Sequence, residues 1–274
     1  MSSTPSLQPL AKIERRALIE SVEKGRRIDG RSPDEYRPVE IEAGVIPKAE
    51  GSAQVKLGKT KVLVGVKIDV GEPFPDTPDQ GVLTVNAELV PLASPTFEPG
   101  PPDENAIELA RVVDRGIRES GALDLQKLCI IPGSKVIVVF VDIYVLDHDG
   151  NLIDASALAA LAALLNARMK KYELKKDEVV FKDKYEPLPV LNRPIAITTA
   201  KIGNALIVDP CLDEEYVMDA RLTVTVDDGG RIRAMQKGGL GTITLKEIEA
   251  IIDMALKKSQ ELRKKVMEAV EQHE

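Results

Sequence analysis

The junction between an apolar strand and an alanine-rich helix is the part of this chain whose residues most clearly suggest chemistry. It is a tight turn at residues 147–154, with the sequence DHDGNLID. Such turns commonly bind phosphate, because free backbone N–H groups and the positive end of the helix dipole point at the same place. The side chains that lead into the helix are Leu152 and Ile153, which cannot hold an anion. The junction therefore either has no chemical role or is a phosphate site that has lost its anion-binding side chains.

A row of arginines in the predicted helix at residues 103–121 is the second candidate. At 100° per residue, Arg111, Arg115 and Arg118 fall within an arc of roughly 60°, opposite the apolar residues of the helix. Arginine suits successive phosphates because its charge is permanent and its donors form a fork. Spacing alone nevertheless favours a simpler interpretation, a solvated helix face with ion pairs four residues apart.

Three further segments contain residues of chemical interest, and a structural interpretation is favoured for each. The loop at residues 26–31 (RRIDGR) is typical of a turn with salt bridges. The acidic run at residues 209–219 could bind a divalent metal or supply a general acid, but acidic loops are usually just solvated. The glycine-rich segment at residues 238–242 lacks the lysine and the spacing of a P-loop.

The composition argues against several kinds of site. The 274 residues include only two histidines and two well-separated cysteines, so we predict no metal centre, no cofactor and no Ser-His-Asp triad. Aromatic residues make up 3% of the chain and tryptophan is absent, so base stacking on exposed rings is not the expected main mode of recognition. The net charge of −7 requires any polyanion site to be a local patch or to be completed by a partner.

The sequence also gives an expectation about location. The N-terminus lacks the apolar core of a signal peptide, and no stretch reaches transmembrane length. The two cysteines form no C-x-x-C pair and suggest reduced thiols. We therefore predict a cytoplasmic protein that has no membrane partner.

The elements that would position the candidate residues are antiparallel strands followed by helices, twice along the chain. Periodicity and turn residues predict, in the first half, a helix at 10–24, a hairpin at 52–70, a strand at 81–93, a helix at 103–121, a strand at 135–146 and a helix at 155–171 capped by Asp154. A charged connector at 170–185 leads to hairpins at 195–208 and 220–237 and to a C-terminal helix with a capping box of Thr244 and Glu247.

This repetition predicts an α+β fold in which two sheets sandwich helices in one compact body. The predicted divisions are a disordered tail at residues 1–9, an N-terminal helix at 10–25, a first half at 26–185, and a second half at 186–274 that contains the long C-terminal helix.

Several short motifs, taken in order, make the chain similar to the RNase PH family of phosphate-dependent 3′→5′ exoribonucleases. They are RIDGR at 27–31, GSA at 51–53, GKTKVL at 58–63, the arginine helix, the strand into Asp149-Gly150, and Val208-Asp209. Three segments resemble the non-catalytic branch of that family in the archaeal exosome: EPFPD at 72–76, ENAIE at 104–108 and DGNLIDAS at 149–156. The resemblance implies an RNase PH-like fold with duplicated halves of the ribosomal protein S5 domain 2-like type.

The resemblance also implies a degenerate active site. In active members the turn after Asp-Gly reads Gly-Thr-Arg or similar and holds the attacking phosphate, whereas here Gly150 is followed by Asn151, Leu152 and Ile153. Active members also carry two aspartates six residues apart near the phosphate. Asp209 matches the first of these, but a glutamate, Glu215, stands at the second. We therefore expect that this chain does not turn over RNA by itself.

For the arginine helix, the resemblance reverses the weighting that spacing alone gives. The matching helix of the family contacts the RNA backbone, which implies that Arg111, Arg115 and Arg118 bind RNA. The implied partners are a catalytic RNase PH-like subunit, alternating with this one in a ring with three copies of each, RNA-binding cap proteins, and single-stranded RNA in the central channel. Two alternatives remain: an active exoribonuclease that binds phosphate through backbone N–H groups near Gly150, and a ring scaffold without RNA contacts.

Overall fold

The computed structural model describes residues 12–175 and 178–273, and the predicted tail at residues 1–9 lies outside these ranges. The described residues form helices and strands that mix along the chain. In order, they are α1 (Lys12–Glu23), β1 (Val39–Ala43), β2 (Gly51–Leu57), β3 (Thr60–Gly71), β4 (Val82–Leu89), α2 (Glu104–Glu119), β5 (Cys129–Ile131), β6 (Lys135–Asp147), α3 (Leu152–Leu165), β7 (Arg168–Lys175), β8 (Glu178–Pro187), β9 (Ile195–Ile202), β10 (Ala205–Val208), α4 (Leu212–Val217), β11 (Ala220–Val226), β12 (Ile232–Gly238) and α5 (Leu245–Glu271).

Two sheets enclose α2, α3 and α5, as the sequence predicts, while α1 and α4 pack beside β9 in a separate hydrophobic cluster. The first sheet has the strand order β1-β2-β3-β6-β4, with β5 paired to β6, and its β4–β6 pairing is parallel while the others are antiparallel. The second sheet has the antiparallel order β10-β9-β11-β12. Helix α3 packs on β2 and β3 of the first sheet and on β9 of the second, and α5 contacts β1, β9 and β11. One continuous hydrophobic core therefore joins the two halves.

The sequence explains why α3 occupies the centre of this core. Its 14 residues, LIDASALAALAALL, are apolar on nearly every side, so no face of the helix is suited to solvent. Small alanine side chains let both sheets approach the helix closely, and Ala155, Ala159 and Ala162 have no exposed surface. The helix that carries the candidate phosphate turn is thus fixed from both sides.

The predicted glycine turns and the predicted capping box of the C-terminal helix are also present. The hairpins turn at Gly58 and Gly203, which both adopt positive φ, and Asp103 caps α2 by accepting a hydrogen bond from the Ala106 N–H at 2.8 Å. At the start of α5 the Thr244 side chain accepts from the Glu247 N–H while the Glu247 carboxylate accepts from the Thr244 N–H, which is the predicted capping box.

The charged connector predicted at residues 170–185 is wrong. The chain instead forms an antiparallel hairpin, β7–β8, which is a two-stranded sheet of its own. Its charges pair across the strands, with Lys171 3.4 Å from Glu186 and Lys182 bonded to Glu173. Met169, Tyr172 and Val179 of the hairpin pack on the core, but the charged residues between them interrupt the apolar alternation that would have revealed the strands.

The helix predicted at residues 155–171 differs from α3 at both ends. Helix α3 begins at Leu152, after Asn151, and ends at Leu165. The Asn166 side chain closes the last turn by donating to the Ala162 carbonyl at 2.6 Å. Asp154 is therefore not the cap but lies inside the first turn. Its carboxylate is fully buried and accepts hydrogen bonds from Tyr36 Oη at 2.6 Å and from the backbone N–H of Thr198 at 3.0 Å.

Candidate functional site

The turn that leads into α3 is pressed against the segment that leads into α4. Gly150 adopts φ +86°, and a Cβ added there would lie 2.5 Å from the Cys211 carbonyl carbon and 2.6 Å from the Leu212 nitrogen. The Leu212 N–H donates to the Asp149 carbonyl at 3.1 Å. Glycine is needed at this position both for its backbone conformation and for the close approach of the other segment.

Two residues from the first sheet region hold the carbonyl groups of the turn. Thr60 Oγ1 accepts from the Asp149 N–H at 3.0 Å and donates to the Gly150 carbonyl at 2.7 Å. The Arg37 guanidinium donates to the carbonyls of Asp149 at 2.5 Å and of Gly150 at 3.2 Å. These hydrogen bonds thus hold the backbone of the predicted phosphate turn in place.

Asp209, the first position of the predicted degenerate acidic site, contacts this turn through its carboxylate. Its carboxylate accepts from Arg37 Nη2 at 2.7 Å and Nε at 2.9 Å, from Arg31 Nη1 at 2.8 Å, and from Asn151 Nδ2 at 2.8 Å. Burial by itself would raise the pKa of Asp209, but the hydrogen bonds and charge of Arg37 outweigh it and hold that pKa below its ordinary value. Asp209 is therefore a charged partner of arginines.

The acidic run at residues 209–219 is consequently not the solvated loop that composition favoured. Asp209 and Glu214 have no exposed surface. Glu214 receives two hydrogen bonds from the buried Arg27, from Nε at 2.9 Å and Nη2 at 2.6 Å. Composition could not indicate this, because the arginines that neutralise the run lie more than 170 residues away in the chain. The salt-bridged turn predicted at residues 26–31 is confirmed by the same contacts.

Glu215, the second position of the acidic site, belongs to α4, and its side chain lies at the start of α3. Its Oε1 accepts from the Asn151 backbone N–H at 2.8 Å. Asn151 is the N-cap residue directly before the first turn of α3, where the helix dipole attracts negative charge. Burial raises the pKa of Glu215 to about 7, against the opposing effect of the Asn151 hydrogen bond. A carboxylate of the protein itself thus takes up a donor that an incoming anion would use.

The cavity in front of the turn has a volume of about 710 Å³. Leu152 and Ile153 line it, and Ile153 is buried, so the wall at the helix start is apolar. The residues that line the cavity include four carboxylates and a single arginine, namely Asp103, Glu104, Glu108, Glu215 and Arg221. That arginine is already paired, with Nη2 2.8 Å from the Glu108 carboxylate. Among the described residues that line the cavity, a phosphate would therefore meet mainly carboxylates, and the arginine present is held by Glu108.

His148 does not supply the missing positive charge. It lines the same cavity and stacks on Phe97 with the ring centroids 5.3 Å apart. Burial, followed by the nearby charge of Arg37, lowers the pKa of His148 to about 4. The imidazole is therefore neutral at physiological pH.

The three arginines of α2 lie on the exposed side of that helix, opposite its buried residues, as their spacing predicts. Arg111 makes no hydrogen bond or ion pair with the described residues. Arg115 Nη1 donates to the neutral side chain of Gln236 at 2.9 Å, so its charge is not neutralised. Arg118 differs, because it forms a two-pronged pair with Asp114 four residues earlier and donates to the Leu83 carbonyl.

The structure therefore sorts the predicted residues into two places. The phosphate turn (Gly150, Asn151, Leu152, Ile153) and the acidic pair (Asp209, Glu215) form one site, although 58 residues separate Asn151 from Asp209. The arginines of α2 line a separate groove of about 390 Å³. The sequence reasoning missed Arg37, whose guanidinium joins the two parts of the first site. Nothing in the pattern around Arg37 distinguishes it from a surface arginine.

Among the described residues no group of three or more His, Cys, Asp or Glu side chains is placed to hold a metal ion. No helix in residues 12–175 and 178–273 is long and apolar enough to cross a membrane.

A helix that begins at an Asp-Gly turn and packs between two sheets, one from each half of the chain, defines a class of protein. The model of domain 1 of the 3′ exoribonuclease family, RNase PH, matches residues 35–170, and the model of its domain 2 matches residues 192–258. The chain belongs to the RNase PH family.

Within this family, the chain is similar to proteins that are named as exosome components. Exosome complex component Rrp42 of Thermococcus gammatolerans is 61% identical over 263 residues, which cover 95% of this chain and 96% of that protein. The protein of the same name from Pyrococcus abyssi is 60% identical over 264 residues, which cover 96% of each chain.

Solved structures agree with these relatives. A chain of an Archaeoglobus fulgidus exosome with RNA bound to the active site superimposes with a TM-score of 0.85 at 52% identity, covering 92% of this chain and 97% of that one. A chain of an archaeal exosome core gives a TM-score of 0.82 at 48% identity, covering 93% and 96%. The RNase PH-like fold predicted from the sequence is confirmed.

Proposed function

We propose that this chain is a non-catalytic subunit of an exosome ring that degrades RNA from the 3′ end. In this role it alternates with a catalytic RNase PH-like subunit, with three copies of each, supports the active site of that neighbour, and holds the RNA backbone through Arg111, Arg115 and Arg118. Cap proteins that bind RNA complete the assembly, and the place of action is the cytoplasm. The relatives named exosome component and the exosome structures support the assembly.

The occupation of the phosphate turn carries the non-catalytic part of the proposal. An attacking phosphate needs backbone donors and cationic side chains at the start of α3. The Asn151 N–H is instead bonded to the Glu215 carboxylate at 2.8 Å, and the next two side chains are Leu152 and Ile153. The backbone of the family's turn remains. Its N–H donor is already bonded to a carboxylate, however, and the two side chains that follow carry no positive charge to balance that of a phosphate.

The arginines of α2 support the RNA-holding part. A chain with a net charge of −7 can still bind RNA where local positive charge is concentrated. Arg111 has no partner among the described residues, and Arg115 is bonded only to a neutral amide. Two unneutralised arginines one helical turn apart are placed to contact successive phosphates of an RNA backbone.

A phosphorolysis assay separates this proposal from an active enzyme. The purified chain is mixed with 3′-tailed RNA and inorganic phosphate, and the release of nucleoside diphosphates is followed. We expect no release from the chain alone and release from the ring that it forms with a catalytic partner. Release by the chain alone would show that backbone N–H groups near Gly150 suffice for phosphate binding, and the proposal would be wrong.

The scaffold alternative is tested in the assembled ring. Arg111 and Arg115 are both changed to Glu, and RNA affinity is measured as a function of salt concentration. Unchanged affinity with an unchanged salt dependence would leave the subunit only a structural role.

A further inference from the structure

One exposed aromatic ring lies on the arginine groove of a protein that has few aromatic residues. Phe74 belongs to the loop between β3 and β4, and 51% of its surface is exposed. Phe181 is similarly exposed, but Phe74 alone of the four phenylalanines lines the groove of the arginines. Single exposed apolar side chains are common on protein surfaces, so the neighbouring arginines, and not exposure alone, point to a ligand.

The backbone around Phe74 is held in place. Pro73 and Pro75 flank it, and each fixes its own φ and removes backbone freedom. The Thr77 N–H donates to the Phe74 carbonyl at 3.1 Å, which closes a turn directly after the ring. Further along the loop, the Gly133 N–H donates to the Pro78 carbonyl at 2.7 Å. A ring on a fixed backbone loses little conformational entropy when a ligand stacks on it.

The ring and the arginines line the same groove. Phe74, Arg111, Arg115 and Arg118 are among the residues that line its volume of about 390 Å³, and Leu83 and Thr84 of β4 also contribute. This volume falls in the range of about 300–1,000 Å³ that is typical of sites for small organic groups. A flat apolar surface beside free guanidinium groups is complementary to one nucleotide of a single strand, which offers a base face and a phosphate.

We propose that Phe74 stacks on a base of single-stranded RNA whose adjacent phosphates are bound by Arg111 and Arg115. This contact rests on the RNA-holding role proposed above and adds a residue that touches the base. Every base has an aromatic face, so stacking on Phe74 holds the strand without selecting its sequence. The ring thus orients the strand, while the arginines supply most of the electrostatic attraction.

The absence of tryptophan from the chain provides a direct test. Phe74→Trp places one indole in the groove, and the ring assembled from this variant and the catalytic partner is titrated with oligoadenylate in phosphate-free buffer, with the ring of native chains as the blank. We expect quenching of the indole fluorescence that saturates together with RNA binding. Phe181→Trp is the matched control, because Phe181 is similarly exposed, at 47%, but lies on the separate β7–β8 hairpin. Its fluorescence should not change.

Affinity measurements complete the test. Loss of one base stack weakens binding about 5- to 150-fold. Phe74→Leu keeps an apolar side chain but no ring, so it should weaken RNA binding within this range. Phe74→Tyr keeps a ring and should bind RNA as the native chain does. Normal RNA affinity of Phe74→Leu, together with unquenched Phe74→Trp, would show that the ring does not stack on RNA and that it is covered in another way, for example by a neighbouring subunit.

The two proposals fail in different ways. If Phe74 does not stack but the double change of Arg111 and Arg115 to Glu still weakens RNA binding, only the base contact is wrong. If neither change alters RNA binding, the RNA-holding role itself is wrong. Because Phe74 is exposed, its substitution should leave thermal unfolding of the chain and assembly of the ring unchanged, and both are measured alongside.

Discussion

Two groups of arginines in this molecule have the same side chain but opposite surroundings. Arg27, Arg31 and Arg37 are buried, and each donates to a buried carboxylate of the segment after β10. Arg111 and Arg115 are exposed, and neither has a carboxylate partner among the described residues. A buried guanidinium is tolerated only when it is paired, whereas an exposed and unpaired one remains free for a polyanion. The partners of an arginine therefore decide whether it stabilises the fold or binds a ligand.

The largest expected effect comes from removing the charge that the buried arginines share. Asp209→Asn keeps the volume and the left-handed backbone, with φ 49°, that asparagine also tolerates. Arg31 and Arg37 would each lose a carboxylate, and breaking a buried pair costs about 3–5 kcal/mol. We expect a loss of this size in the free energy of unfolding, measured by denaturation of the purified chain.

Arg111→Ala is the control for this comparison. It removes an exposed arginine and should change the free energy of unfolding by no more than about 0.5 kcal/mol. Equal effects of the two substitutions would contradict the division between structural and ligand-binding arginines.

The second prediction concerns RNA. Changing Arg111 and Arg115 together to Glu should weaken RNA binding by the ring roughly 25-fold at 0.1 M salt, because each lost single-strand phosphate contact reduces the salt slope by about 0.7. The control is the same reversal at Lys257 and Lys264, exposed lysines of α5. If that control weakens binding equally, the effect reflects net charge and not the arginine groove.

A smaller effect should distinguish the two carboxylates of the degenerate site. Glu215 has a pKa of about 7 in the folded chain against an ordinary value near 4.5, so the folded state favours its protonated form. This contribution to stability is complete below pH 4.5 and is lost as the pH rises through 7. Glu215→Gln cannot ionise and should therefore gain stability relative to the native chain as the pH rises, by on the order of 1 kcal/mol for this partly exposed group.

Denaturation of both proteins at pH 5 and pH 8 measures this difference. A difference that does not depend on pH would mean that Glu215 has an ordinary pKa. Asp209, whose pKa is lowered, contributes stability of the opposite pH dependence, present at neutral pH and lost on acidification.

The smallest predicted effect lies within the arginine row itself. Arg118 is paired with Asp114 and bonded to the Leu83 carbonyl. Arg118→Ala should therefore reduce RNA affinity less than Arg111→Ala does, and it should cost at most about 0.5 kcal/mol of stability, the range of an exposed i,i+4 pair. RNA titrations of the two variants in parallel decide this, and an equal loss of affinity would show that RNA displaces Asp114.

Local patterns in the sequence determined much of this protein. Glycine turns, the capping box of Thr244 with Glu247, and the apolar periods of α2 and α3 predicted most elements, because each depends on residues that are close in the chain. The exposure of the α2 arginines followed from the same helical period. The apolar side chains of Leu152 and Ile153 at the start of α3 were also evident without a structure.

Only the tertiary structure decided which charges meet. The Glu215 carboxylate reaches the Asn151 N–H across 64 residues of sequence, and Arg37 meets Asp209 across 172. The burial of Asp209 and Glu214 and the internal position of Asp154 were missed for the same reason. Hydrogen bonds and ion pairs act over a few ångströms in space, and neither composition nor periodicity records which distant segments the fold brings within that distance.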